Sequence, residues 1–233
     1  MPPSKRDAPA HTGRVAPEGE PEKRRAILHA ALRVFAEKGY HGCRIADVAR
    51  QAGVAYGLVY HYFRNKDELL ESVLEEQWAI LIGAIRSIAN GGGPASEKVA
   101  SVIRFTMDVF RTAPAAVRVL ILEVPRTPGV IRAGTNRETF ETALGLVADI
   151  VRRGQADGEL RRDVDARVCA ASVLGVLDMN LTGMVTGMLS APMPTEQELE
   201  RMEREVVAVA LQGILAEPAP VRVPASIDGP GAP

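Results

Sequence analysis

Cysteines and aromatic residues are scarce in this chain. Two cysteines, Cys43 and Cys169, occur in 233 residues, and they form no metal-ligand spacing with each other or with the four histidines. This scarcity argues against a disulfide-stapled secreted domain and against a metal centre. The sequence therefore predicts a cytoplasmic protein with reduced thiols and no resident cofactor.

Several patterns typical of enzymes and membrane proteins are missing as well. The segment GGGPAS (residues 91–96) lacks the Lys-Ser/Thr pair of a phosphate-binding loop, and no Gly-x-Ser-x-Gly elbow occurs. No apolar run reaches membrane-spanning length without a charge or a glycine, and the first twenty residues contain no apolar signal-peptide core. The sequence predicts neither catalysis nor membrane insertion.

The few aromatic residues are concentrated near a basic N-terminal end. Three of the four tyrosines fall within GVAYGLVYHYF, residues 53–63. Residues 1–66 carry twelve Lys and Arg against six Asp and Glu, whereas the whole chain has a net charge of −1. Such an asymmetry is typical of a chain whose one end faces nucleic acid.

Apolar spacing predicts three helices in this basic region. The first, EKRRAILHAALRVFAEKGY, ends at Gly39, a residue that tolerates the left-handed conformation of a helix cap. The second, RIADVARQAG, is closed by Gly53, and the third is AYGLVYHYF, with Val59 and Phe63 as core candidates. Two short helices joined by a tight turn are typical of a helix-turn-helix. We predict this DNA-binding domain over residues 21–66, after a disordered tail over residues 1–20.

The rest of the chain is also expected to be helical. Asn65 is a candidate N-cap for a long fourth helix that stops at the glycines of residues 91–93. Five further helical segments follow, separated by prolines and glycines, and no segment alternates as a strand would. The prediction is an all-α fold with a larger helical domain over residues 67–216 and a disordered tail over residues 217–233.

The segment GYHGCRIADVARQAGVAYGLVYHYFRNKDELL resembles the DNA-binding region of the TetR family of bacterial transcriptional repressors. The match extends over about residues 22–72. It implies DNA contacts from the second helix, from the third helix and from the lysine that opens the fourth. The residues that correspond are Arg44, Ala55, Tyr56, Gly57, Tyr60, His61 and Lys66.

Three residues depart from the usual family pattern. Cys43 and Arg44 stand where the family commonly has Thr or Ser that cap the second helix and bind a phosphate. Arg44 can still hold a phosphate. Leu58 stands where the family often has Thr, so a contact there would be apolar, for instance with a thymine methyl. The operator sequence therefore does not follow from the resemblance.

The resemblance implies that the larger domain dimerises and binds an effector. The segment SVLGVLDMNLTGMVTGML predicts two stripes along one helix. The apolar stripe contains Leu174, Leu177, Leu181, Met184 and Met188, and the narrow stripe contains Ala171, Gly175, Asp178, Thr182 and Thr186. Such a helix suits a four-helix bundle made by two subunits. The abundance of apolar, flexible side chains favours a hydrophobic or amphipathic ligand, with Asp178 and Asn180 as candidate polar anchors. The candidate pocket residues are Phe105, Met107, Phe110, Leu122, Phe140, Asp178, Met179, Asn180 and Met184.

The combined prediction is a homodimeric repressor, not an enzyme, that a small hydrophobic effector releases from a palindromic operator on double-stranded DNA. One alternative is a thiol-based redox sensor, since Cys43 would lie at a helix N-terminus, where the helix dipole favours a thiolate. The other is a corepressor-dependent regulator or an activator, for which the ligand would tighten DNA binding.

Overall fold

The structure, a computed structural model, describes residues 20–122, 135–189 and 194–215. Nine helices lie within these ranges: α1 (Glu20–Gly42), α2 (Ile45–Ala52), α3 (Tyr56–Tyr62), α4 (Lys66–Asn90), α5 (Ala95–Thr112), α6 (Pro114–Leu122), α7 (Thr135–Asp157), α8 (Ala166–Thr186) and α9 (Glu196–Gln212). The β pairing in the described residues is a single isolated bridge between Leu160 and Leu215. The all-α prediction is confirmed. The predicted tails, apart from Glu20 at the start of α1, lie outside the described residues.

Glycines and one capping side chain set the turns of the N-terminal helices. Gly39 adopts φ 68° and ψ 166°, so the regular helix of α1 breaks there before a last turn to Gly42. Gly53 closes α2 at φ 66° and ψ 31°. Both conformations strain a residue that has a Cβ. The Asn65 side chain accepts a hydrogen bond from the Glu68 backbone N–H at 2.8 Å and starts α4, as expected.

Two hydrophobic cores organise the molecule. The first, which we call the reading-head core, is formed by α1, α2, α3 and the first half of α4, and it contains Val59 and Phe63 at 0% and 2% exposure. The second, the bundle core, is formed mainly by α5, α7, α8 and α9 with the second half of α4. Packing crosses the boundary predicted after residue 66, because Leu69 and Val73 of α4 belong to the reading-head core.

The short helix α6 lies between the two cores. Its Val119 is fully buried in the reading-head core, whereas Val117 is buried in the bundle core. Leu120 packs against the reading-head core and Ile121 against the bundle core. Helix α6, like α4, therefore has residues in both halves of the molecule.

Helix α8 is buried on one side and exposed on the other. Within the described ranges it is the helix whose length and apolar composition would suit a membrane span. Here it packs against α5, α6, α7 and α9, with Leu177, Leu181 and Met184 in the bundle core. The opposite side exposes Val168 and Met179, at 55% and 59%. The side of α8 that no other helix covers is thus partly apolar.

Candidate functional site

The exposed side of α3 carries a pair of tyrosines. Tyr56 and Tyr60 are 53% and 45% exposed, and their rings meet edge-on with centroids 5.2 Å apart. The two hydroxyl oxygens lie 3.2 Å apart, within hydrogen-bond distance. His61 is exposed beside them and meets the ring of Tyr62 edge-on at 5.1 Å. The predicted contact residues of α3 therefore form one polar aromatic surface open to solvent.

Gly57 lies in the first turn of α3 next to the exposed Ala55, which precedes the helix. A Cβ built at Gly57 would meet no protein atom within 4 Å. Packing therefore does not require glycine at this position. What the missing side chain does provide is a bare stretch of backbone beside the two tyrosines, which a DNA strand can approach closely.

Arg44 precedes α2 in an extended conformation, and its side chain makes no capping hydrogen bond. A guanidinium has no acceptor and cannot cap a helix as Ser or Thr does. The Asp47 carboxylate instead accepts a hydrogen bond from the Arg44 backbone N–H at 3.4 Å and forms ion pairs with Lys38 at 2.9 Å and Arg50 at 2.6 Å. Lys38 is the main reason that the pKa of Asp47 is lowered. The Arg44 side chain remains exposed at the start of α2.

Lys66 has a structural role that its sequence position did not reveal. Its Nζ donates to the backbone carbonyl oxygens of Tyr40 at 2.7 Å and Cys43 at 3.1 Å, and it lies 4.2 Å from the centroid of the Tyr40 ring. Lys66 thus holds the last turn of α1 and Cys43 against the start of α4. Its DNA contact stays a prediction.

The surroundings of Cys43 disfavour thiol-based sensing. The side chain is 3% exposed, and its burial raises the pKa of the thiol to about 11, against the opposing effect of Lys66. Burial also raises the pKa of Cys169. A protonated, buried thiol reacts slowly with oxidants. The described residues contain no cluster of His, Cys, Asp and Glu able to hold a metal ion.

An apolar cavity of about 320 Å³ lies in the larger domain, between α4, α5, α6, α7 and α8. Its wall is almost entirely aliphatic and aromatic, with Gln77, Thr106 and Asp178 as the main polar side chains. The lining residues Ile80, Phe140, Ala171, Gly175 and Asp178 are exposed, so the cavity is open to solvent. Its apolar lining includes Trp78, Phe105, Ala116, Val117, Leu120, Ile121, Phe140, Ala143 and Ala171.

The structure brings three of the nine candidate pocket residues, Phe105, Phe140 and Asp178, to this cavity. Of the other six, Met107, Phe110 and Met184 are buried in the bundle core away from the lining. Met179 is exposed, Asn180 donates to the Val176 carbonyl at 2.8 Å, and Leu122 ends α6. On α5 the lining residues Val102, Phe105, Thr106 and Val109 share one helical face, and Met107 and Phe110 lie on another.

Comparisons with known proteins fit both halves of this arrangement. Residues 27–73 match the model of the bacterial regulatory proteins of the tetR family, and residues 96–209 match the tetracyclin repressor-like C-terminal domain. The fatty acid metabolism regulator protein of Bacillus subtilis (strain 168) is 30% identical over 159 residues, which cover 68% of this chain and 81% of that protein. The chain belongs to the TetR family.

Solved structures of TetR-family relatives share this fold over about four fifths of the chain. FadR from Bacillus subtilis in complex with stearoyl-CoA is 26% identical, with a TM-score of 0.71 over 81% of this chain and 98% of that one. FadR from Bacillus halodurans, a fatty acid degradation regulator, is 27% identical, with a TM-score of 0.72 over 82% and 95%. TetR-family regulators are dimers that bind operator DNA and small hydrophobic effectors. Membership of this family confirms the prediction of a ligand-responsive, DNA-binding regulator.

The dimerisation expected of a TetR-family chain is compatible with its exposed apolar side chains. Val168, Ser172, Gly175 and Met179 follow one another along a single exposed face of α8, and Val209 of α9 is 60% exposed. Exposed apolar residues that form a continuous face commonly mark a protein interface. This face, and not the stripe of Leu177, Leu181 and Met184, is open to a second subunit.

Proposed function

We propose that the chain is a transcriptional repressor that leaves its operator when the cavity takes up the acyl chain of a fatty acyl-CoA. The observation that carries the proposal is the aliphatic and aromatic lining of the 320 Å³ cavity. Such a lining stabilises a hydrocarbon chain by removing it from water. The relative bound to stearoyl-CoA and the relatives that regulate fatty acid metabolism support the same chemical class.

The open side of the cavity suits a ligand with a long polar head. Ile80 and Phe140 are 54% and 50% exposed and border this side, together with the exposed carboxylate of Asp178. A polar head could extend into water there while the acyl chain stays inside. In this proposal the thioester end lies near Asp178 and the terminal methyl group lies near Trp78 and Leu120.

On DNA, the dimer would place two copies of α3 in the major groove on one side of the duplex. Two-fold symmetry requires half-sites about one helical turn, or a multiple of it, apart. Tyr56, Tyr60 and the bare backbone at Gly57 would contact the DNA, and Arg44 would hold a phosphate. The protein would act in the cytoplasm as a regulator and not as an enzyme.

A chain-length series tests the ligand. The operator is first selected from random duplexes with the purified full chain, and saturated acyl-CoAs from butanoyl-CoA to octadecanoyl-CoA are then titrated. Each buried methylene contributes about 0.8 kcal/mol, so affinity should rise about fourfold per added methylene until the cavity is full, and then level off. Operator affinity should fall along the same series.

Two exposed side chains of α7 provide a matched pair of variants. Phe140 lines the cavity and is 50% exposed, whereas Thr142 is exposed and lies outside the lining. Phe140→Ala should weaken acyl-CoA binding about tenfold, because part of an aromatic contact is lost, and Thr142→Ala should leave it unchanged. Equal binding of free CoA and acyl-CoA would refute the proposal. Tighter operator binding with every ligand would instead favour the corepressor alternative.

A further inference from the structure

Helix α6 has one face in the effector cavity and another in the reading-head core. Ala116, Val117, Leu120 and Ile121 line the cavity. Val119 is fully buried in the reading-head core, and Leu120 also packs against that core. Protein interiors are close-packed, so a displacement of one face of such a short helix cannot be absorbed within it. A ligand that displaces the cavity side of α6 would therefore also displace the side of α6 that contacts α1.

One polar contact ties α6 directly to α1. The Arg118 side chain donates from Nε to the backbone carbonyl oxygen of Ala36 at 2.9 Å. Ala36 lies three residues before Gly39, where the regular helix of α1 breaks. The last carbonyls of a helix lack intrahelical donors and carry the negative end of the helix dipole. A guanidinium is therefore well suited to hold this end of α1.

The end of α1 is in turn attached to the helix-turn-helix. Lys38, two residues after Ala36, forms the 2.9 Å ion pair with Asp47 in the first turn of α2. The carbonyls of Tyr40 and Cys43 are held by Lys66 at the start of α4. A shift of the α1 end would consequently change the position of α2, and with it that of α3, which packs against α2.

We propose that Arg118 is a positioning residue that couples occupancy of the cavity to the orientation of the DNA-binding helices through the end of α1. This route acts beside the continuous helix α4, which also reaches from the reading head to the cavity. The proposal rests on the proposed function for the identity of the ligand, but the contact itself does not depend on that identity.

The measured quantity is the ratio of operator Kd values with and without saturating hexadecanoyl-CoA. Couplings between sites typically amount to about 5–150-fold, and Arg118→Gln should reduce the ratio at least fivefold or abolish it. The reciprocal effect of operator on ligand affinity, followed by fluorescence of Trp78, the single tryptophan of the chain, should fall by the same factor. Arg118→Lys should restore much of the coupling, because an ammonium can also donate to the Ala36 carbonyl.

Arg152→Gln is the matched control. Arg152 is an exposed arginine of α7 that pairs with Asp149 of the same helix, and it does not line the cavity. Its loss should leave the ratio unchanged. If Arg118 served stability alone, Arg118→Gln would lower the thermal midpoint without changing the ratio, and this outcome would overturn the proposal.

A ligand-independent arm separates this proposal from the proposed function. Ala143→Leu fills the cavity from α7, and Ala171→Leu fills it from α8 if the first variant fails to fold. Either filler should weaken operator binding in the parent protein, and less so in the Arg118→Gln background. If hexadecanoyl-CoA does not bind, the proposed function fails and the fillers still test the coupling. Fillers that act equally in both backgrounds, or in neither, would refute the role of Arg118.

Discussion

Replacement of Gly57 by alanine should stabilise the protein while weakening its binding to DNA. The added Cβ meets no protein atom within 4 Å, so the methyl group causes no clash in the free protein. Alanine is favoured over glycine by up to about 1 kcal/mol in a helix interior, and in the first turn of α3 we expect about half of that. A methyl group forced into a close contact typically costs about 1–3 kcal/mol, which corresponds to about 5–150-fold weaker operator binding.

Two measurements on the same sample test the gain in stability and the loss of DNA affinity. Urea unfolding gives the change in the free energy of unfolding, and titration of labelled operator gives the change in Kd. Gly83→Ala is the control, because Gly83 is an exposed glycine inside α4 whose added Cβ likewise meets nothing within 4 Å. It should stabilise the protein and leave Kd unchanged. If Gly57→Ala binds the operator as tightly as the parent chain, the close approach of DNA to α3 is refuted.

Three further predictions concern charged and titrating groups. Arg44→Ala should weaken binding to every duplex and reduce the salt dependence of log K by about one charge, and altered base preference at unchanged affinity would contradict the phosphate role. Native Cys43 should resist iodoacetamide, and peroxide should not change operator affinity. Because the pKa of its thiol is raised to about 11, the stabilisation it contributes is complete below the unfolded value of about 8.5 and disappears as the pH rises toward 11. Fast alkylation of Cys43 in the folded chain would contradict the expectation of a buried, protonated thiol. Glu159 caps α5 by accepting hydrogen bonds from the backbone N–H groups of Ala95 at 2.6 Å and Ser96 at 2.8 Å. Burial acts to raise its pKa, but these bonds and one from the Ser96 hydroxyl leave it lowered, so the stabilisation is present above the unfolded value of about 4.3 and is lost as the pH falls through the lower folded value. Glu159→Gln should therefore reduce stability by about 1–2 kcal/mol at neutral pH and flatten its acid dependence, and equal acid curves for the two proteins would contradict the capping role.

The DNA-binding half could be predicted because its signals are local. Gly53 and Asn65 act within one turn of their own positions, and the apolar spacing around Val59 and Phe63 identifies the buried side of α3 without knowledge of its neighbours. The same locality hid the role of Lys66, whose hydrogen-bond partners Tyr40 and Cys43 lie 26 and 23 residues earlier in the chain. A basic residue beside a recognition helix predicts a DNA contact, but its spacing does not show a second task.

The cavity could not be predicted in the same way because five helices contribute to it. Phe105, Met107 and Phe110 are all apolar residues of α5, and only Phe105 lines the cavity. Periodicity shows which residues share a face of a helix, but not whether that face meets another helix or an empty space. Trp78 illustrates this limit. Its spacing to Leu81 and Ile85 indicates a common face of α4, but not that this face lines a cavity.

Trp78 and Leu120 are shared between the cavity wall and the reading-head core, and this sharing constrains how the regulator can change its ligand during evolution. Substitutions at these two positions would reshape the cavity but also loosen the DNA-binding helices, so gains in ligand range there carry a loss of operator affinity. Phe140 of α7 and Ala171 of α8 also line the cavity but have no part in the reading-head core. We therefore expect relatives with new ligands to differ first along α7 and α8, while the wall formed by Trp78 and Leu120 changes slowly.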